Sequence, residues 1–187
     1  MNAAMKEFVQ SGFDKASTNE IVKRAKISKG SLFNYFNSKK DLYVYLIEYS
    51  VKVIEQIYEQ IDLNETDFFK RMEKLGLTKL MIQRKFPLVF DFLLSLNQEE
   101  SKEVMEEITQ RIHPVSKDGM TKIYVNIDYS MFRDDIDLEK AIDIINWTMF
   151  GFGEKVGSQL KSFEGIGEEY LKEWEIYSTL LKNSFYK

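Results

Sequence analysis

The side chains with the clearest chemical purpose crowd near the amino end: Ser17, Thr18, Ser28, Lys29, Gly30, Ser31, Phe33, Asn34, Tyr35 and Lys39. Hydroxyls, amides, lysines and aromatic rings at these offsets suit contact with phosphate oxygens and base edges. A lysine donates to guanine O6 and N7, a phenylalanine ring packs only on a thymine methyl, and a glycine lets backbone come close because no Cβ intervenes. Covalent chemistry has no comparable cluster. The chain has no cysteine and one histidine, His113, with carboxylates scattered over helix faces. No nucleophile or acid–base constellation converges at readable spacing, so an enzyme is not expected, and neither a metal site nor a cofactor is.

Holding such groups toward a duplex takes short, well-capped helices. Ser17 with Glu20 three residues later predicts a capping box opening a helix over 20–25. Lys26-Ile27-Ser28 breaks the pattern, and Ser28 caps a second helix over 29–35 that is too short to persist unless packed. Its buried positions would be Leu32 and Phe36, one step of four apart, which leaves Lys29, Gly30, Ser31, Phe33, Asn34 and Tyr35 facing outward. Ser38 with Asp41 predicts another box, so the next helix would offer its N–H groups, with Lys39 and Lys40, as a phosphate seat. The competing structural reading is a short amphipathic helix in a small bundle, since helix-turn-helix shapes also occur without DNA.

The residues quoted carry a family resemblance. Ala3-Ala4 with Phe8, Gly12-Phe13, Glu20-Ile21, Ala25, then Ile27-Ser28-Lys29-Gly30-Ser31-Leu32-Phe33 and Tyr35-Phe36 with Ser38-Lys39 and Asp41-Leu42 resemble the tetracycline-repressor (TetR) family. The likeness covers roughly the first quarter of the chain; the rest carries no family motif. It implies an all-α protein of about nine helices: a helix-turn-helix DNA-binding domain over 1–48, with its motif at 17–36, and an effector-binding and dimerisation domain over 49–187. It also implies that Lys29, Gly30 and Phe33 approach bases, while Ser17, Thr18, Ser31, Asn34, Tyr35 and Lys39 serve chiefly phosphates and Asn34 has adenine as an alternative. Two departures stand out. Phe33 replaces the family's common tyrosine, removing a hydrogen-bonding group, and Lys26 stands where relatives often have glycine, at a cost of about 1 kcal/mol if the turn needs positive φ. Relatives also carry about one more helical turn and a basic arm before the alanine pair, so a weaker phosphate grip is expected.

Charge is divided in the same way. The net charge is −4, but residues 1–48 hold eight basic and five acidic side chains while the rest hold 18 basic and 25 acidic. A basic head on an acidic body fits an approach to phosphate by the head alone. The 187 residues, 44% of them hydrophobic, suffice for one large or two small domains. No run approaches the roughly 18 apolar residues of a membrane span, and the start MNAAMKEFV lacks a signal-peptide layout, so a cytoplasmic protein without membrane contact is expected. Cysteine does not settle the compartment.

Along the rest of the chain, apolar spacing predicts a rod-like helix over 39–61 with Leu42, Leu46, Tyr49, Val53 and Ile57 on one face. Further helices are expected over 65–84, 87–96, 99–126 (kinked or ended by Pro114), 137–161 and 167–186, with Gly12 capping the first helix near Ser11. The resemblance implies an effector site that Phe68, Met72, Phe86, Phe90, Met105, Tyr124, Trp147 and Phe150 could line with Tyr124, His113 or Asn146 as polar anchors, although for any one of them core packing is the favoured reading. Leu171, Trp174, Ser178, Leu181 and Phe185 step by three and four, and Ile145, Met149 and Phe152 mark a face of the preceding helix. Ile144, Trp147, Phe150 and Gly151 make that helix apolar on more than one side. The resemblance implies a homodimer through these two helices, with reading helices on the order of 34 Å apart on near-palindromic double-stranded operator DNA. The function so implied is transcriptional regulation, as a repressor released when a small apolar or amphipathic effector binds. The alternative is an all-helical small-molecule carrier whose head serves folding alone.

Overall fold

The computed structural model describes residues 1–187. It is all-helical: α1 (Asn2–Lys15), α2 (Thr18–Ala25), α3 (Lys29–Phe33), α4 (Lys39–Glu59), α5 (Phe68–Lys85), α6 (Pro87–Leu96), α7 (Lys102–Tyr124), α8 (Leu138–Gln159) and α9 (Glu169–Phe185), with short 3-10 turns at Tyr129–Met131 and Phe163–Gly165. Extended pairing is confined to one antiparallel bridge between Phe132 and Tyr186. The helix boundaries follow local chemistry. α6 begins at Pro87, whose missing N–H costs nothing in a first turn. α5 begins at Phe68 rather than at 65, because the Asp67 carboxylate accepts from the amides of Phe69 (2.9 Å) and Lys70 (3.2 Å). Pro114 does not end α7, which continues for ten residues beyond it. Gly12 takes φ 66° inside α1, so the turn that follows is set off from the helix before it, in a conformation that side chains disfavour.

Contacts divide the chain into two compact units, each drawn from two stretches: Met1–Gln56 with Lys85–Gly119, and Ile57–Arg84 with Met120–Lys187. In the first, α6 packs on α1 and α1 on α2. Phe8, Phe13 and Phe92 surround Tyr43, each meeting it edge to face at 4.8–5.3 Å between centroids. The α6–α7 connection is tied to the end of α1 by polar contacts. The Glu99 carboxylate accepts from the Phe13 amide at 2.8 Å and from the Tyr43 hydroxyl at 3.5 Å, and Ser101 Oγ donates to Asp14 at 2.6 Å. Burial, and then the Glu99 charge, push the Tyr43 phenol far above its ordinary value.

The second unit is built on Phe68, Phe69, Met72, Ile123, Ile127, Phe132, Ile145 and Tyr186. Arg71 is buried beside them at 1% exposure, and its guanidinium donates to the backbone carbonyls of Leu63, Glu65, Ile123 and Val125. Two of those carbonyls lie at the end of α7, where unsatisfied acceptors and the negative end of the helix dipole favour a cation. Tyr186 donates to Asp67 at 3.1 Å. No helix is long and apolar enough to cross a membrane.

Candidate nucleic-acid interface

Between α2 and α3 the chain turns by a motif that the residue types only half predict. Ser17 caps α2, accepting from the Glu20 amide at 3.5 Å. The return bond of the box is not made by Glu20: the Ser17 amide donates instead to Glu7 on α1, at 3.1 Å. Glu7 is buried, and it also pairs with Arg24 at 3.5 Å, so one carboxylate joins α1 to both ends of α2. At the C-terminus Lys26 takes φ 55°, its amide bonding Lys23 O while the Ile27 amide bonds Val22 O, the paired closure of a left-handed cap. Ser28 then caps α3, accepting from the Ser31 amide at 3.0 Å and sharing a hydrogen bond with the Ser31 hydroxyl at 2.8 Å.

α3 is five residues long and buries one of them, Leu32. Phe36 is half-buried, while Lys29, Gly30, Ser31, Phe33, Asn34 and Tyr35 are exposed, Tyr35 at 84%. Ser17 and Thr18 are half-buried at the start of α2, and Ser28 is exposed. Gly30 has ordinary helical backbone, and a Cβ placed there would meet only Ser28 Oγ, at 3.8 Å. Nothing inside the protein therefore requires glycine at this position, although glycine in a helix is less stable than alanine by up to about 1 kcal/mol. An outside surface that must come close does require it.

The basic side chains of the first 48 residues fall into two groups. Lys39, which the resemblance put on a phosphate, is turned inward: its ammonium donates to the carbonyls of Phe13 (2.7 Å), Asp14 (3.0 Å) and Ala16 (3.3 Å) and lies 4.6 Å from the Phe13 ring centroid. Its three N–H bonds are thereby used in closing the end of α1. Lys40 pairs with Glu107 at 3.1 Å, and Arg24 with Glu7 and Gln10. Lys6, Lys15, Lys23, Lys26 and Lys29 are exposed and make no ion pair. Of these five, Lys6, Lys15, Lys23 and Lys26 are left for phosphates, and Lys29 lies on α3 beside the Phe33 ring. The seat at the start of α4 keeps its cap, Ser38 accepting from the Asp41 amide at 3.0 Å, while the Asp41 carboxylate accepts from the Asn37 amide.

The side chains proposed for an effector site are drawn from both units. Phe68 and Met72 belong to the second unit's core, where Phe68 stacks on Tyr124 at 5.6 Å and Tyr124 donates to Asn146. Phe86 and Phe90 lie in the first unit, together with Met105, which is exposed, as is His113. Trp147 and Phe150 face solvent at 68% and 54% exposure. Helical spacing shows that these positions are apolar, and it does not show which of them share an interior. Lys79 on α5 has exposed surface and no ion pair, yet desolvation holds its ammonium below the usual lysine range.

The seam assigned to dimerisation makes contacts within the protomer as well. Ile145 lies in the second unit's core, with Met149, Leu181 and Phe185 packed against it. A Cβ at Gly76 would sit 3.4 Å from Leu171, while Phe152 and Trp174 meet at 5.5 Å and Ser178 is half-buried. These residues are the inner faces of α8 and α9. The unpartnered apolar surface lies on the other side: Ile144, Trp147 and Phe150 on α8, with Ile176 and Leu180 on α9, all 41% exposed or more.

A capped turn that presents a short, glycine-bearing helix outward is the core of a helix-turn-helix DNA-binding module. Residues 1–46 match the family model for bacterial regulatory proteins of the tetR family. Over 49 residues the chain is 41% identical to an HTH-type transcriptional regulator of Bacillus subtilis (strain 168), YuxN, a match spanning 26% of this chain and 17% of that protein. Across its whole length the fold is similar to a TetR family regulator from Chloroflexus aurantiacus J-10-FL (TM-score 0.62, 20% identity, 100% and 91% of the two chains). It is also similar to one from Streptomyces coelicolor A3 (TM-score 0.64, 14% identity, 99% and 90% of the two chains). The amino-terminal quarter is thus similar to the DNA-binding domain of tetR family regulators, the whole fold is similar to solved members of that family, and the chain matches less than a fifth of the length of its curated relative.

Proposed function

We propose that this protein binds double-stranded operator DNA through α3 and the turn before it, and represses transcription until a small effector binds residues 49–187. The outward helical glycine is the observation that carries the reading: Gly30 makes the protein's own packing no better and makes close approach to a groove possible. Lys6, Lys15, Lys23 and Lys26, exposed and without an ion pair in the first 48 residues, supply the phosphate attraction. A repressor further requires that the effector prefer the DNA-incompetent state, tenfold preference being worth about 1.4 kcal/mol per site.

The deciding experiment is selection of bound duplexes from a random pool, followed by mobility shift with the wild type and Gly30→Ala at two salt concentrations. Gly30→Ala is expected to fold with unchanged or slightly raised Tm and to bind the selected duplex on the order of tenfold more weakly, the equivalent of about 1.4 kcal/mol. Equal affinity of the two proteins, or absence of salt-dependent binding to any duplex, overturns the reading in favour of the carrier.

We further propose a homodimer through the outward faces of α8 and α9. Contiguous exposed apolar side chains of this size mark an interaction surface, and a twofold pair presents the same patch twice.

A further inference from the structure

Two of the outward groups on α3 are held as a pair. Lys29 and Phe33 are one helical turn apart, and the Lys29 ammonium lies 5.9 Å from the centroid of the Phe33 ring. Both are exposed, Phe33 at 38%. A cation over an aromatic face gains a modest electrostatic attraction at an exposed site, so the two side chains already favour one arrangement before any duplex arrives. Less rotamer freedom is then left to lose on binding.

The two groups read different chemistry. An ammonium reaches guanine O6 and N7, whereas a phenyl ring finds an apolar partner in the major groove only at the thymine methyl. Successive base pairs rise by about 3.4 Å, so an ammonium and a ring 5.9 Å apart fall no more than two steps from each other. Resting on the DNA-binding reading above, the geometry points to an operator half-site in which a guanine and a thymine lie within two base pairs of each other and are read together by Lys29 and Phe33.

The test starts from the duplex selected by the wild-type protein. Replacing a thymine within two base pairs of the guanine by deoxyuridine deletes one methyl and keeps the base pair. Wild type is expected to bind that duplex about fourfold more weakly, the equivalent of one buried methyl group. Phe33→Ala is expected to bind both duplexes equally, and Lys29→Met to lose the sensitivity of the wild type to 7-deazaguanine in place of that guanine. The uracil measurement on the wild type needs no variant, so a misfolded mutant does not decide it. Sequence-specific binding that ignores uracil at every thymine of the half-site, or uracil sensitivity retained in Phe33→Ala, overturns the paired reading while DNA recognition stands. Failure to bind any duplex overturns DNA recognition itself.

Discussion

Lys26 shows how a single residue type sets a local cost. Its φ of 55° closes α2 in a left-handed cap, a conformation that crowds a side chain's Cβ against the following carbonyl. Glycine would remove that strain, and the cap's two backbone hydrogen bonds need no side chain. Lys26→Gly is therefore expected to stabilise the protein by about 0.5–1 kcal/mol, raising Tm by a few degrees, offset in part by the entropy glycine adds to the unfolded chain. The same variant loses one of the four cations left for phosphates, so DNA binding should weaken and its dependence on salt flatten by about one phosphate contact. A thermal melt and a salt titration read the two effects separately; a lower Tm would show that the turn is not strained. Lys39 is the opposite case. With all three N–H bonds on carbonyls of residues 13–16, its removal should lower Tm as well as affinity, so lost binding in Lys39→Ala would not identify a phosphate contact.

Among the elements, the connection between α6 and α7 is the least visible in the sequence and the most informative in the fold. Glu99 Oε2 accepts from the Phe13 amide and the Tyr43 hydroxyl, while Oε1 accepts from the Ser101 amide at 2.9 Å. Glu99→Ala leaves two part-buried donors on α1 and α4 unsatisfied, a cost of about 1–3 kcal/mol, and a fall in Tm of several degrees is expected. Glu99→Gln, which keeps an acceptor oxygen, should fall less; equal melting of both variants and wild type would show that the clamp contributes nothing. Local signals did place the elements. Caps at Ser17, Ser28 and Ser38, Pro87 at a first turn and the apolar stripe of α4 are short-range features, and the helices sit close to where those features put them. What the sequence concealed depends on distant partners. Glu7 takes the bond assigned to Glu20, Lys39 turns to α1, and Ser50, fully buried in α4 beside Leu46, donates to its carbonyl where Tyr49 had been expected inside. Periodicity likewise found apolar faces on α8 and α9 and could not say which face the protein covers itself.

At the scale of the molecule, alkaline pH should probe each unit through a buried tyrosine. Burial and a neighbouring carboxylate raise Tyr43 (with Glu99) and Tyr186 (with Asp67) above the ordinary value of 10.0, so the folded state keeps protons that the unfolded chain releases. That contribution is whole below about pH 10 and is lost as pH rises above it. Chemical denaturation from pH 8 to 11 should show a stability decline that is shallower in Tyr43→Phe and in Tyr186→Phe; an unaltered slope in both would contradict the burial of the two phenols. The proposed dimer calls for a pair of variants on opposite faces of α8. Trp147, 68% exposed, is the kind of large aromatic that concentrates binding energy when a partner covers it, whereas Ile145, 1% exposed, is core. Trp147→Glu is expected to leave Tm of the isolated protomer nearly unchanged and to weaken self-association by about 2 kcal/mol or more, roughly thirtyfold, in sedimentation experiments. Ile145→Ala should do the reverse, costing about 2–5 kcal/mol of folding stability through the cavity it leaves. Half-sites one helical turn apart require both heads at once, so Trp147→Glu should also lose the preference for paired over single half-sites while keeping that for the half-site sequence itself. A wild type that sediments as a monomer at micromolar concentration, or a Trp147→Glu protein that dimerises unimpaired, would remove the outward face of α8 as the interface.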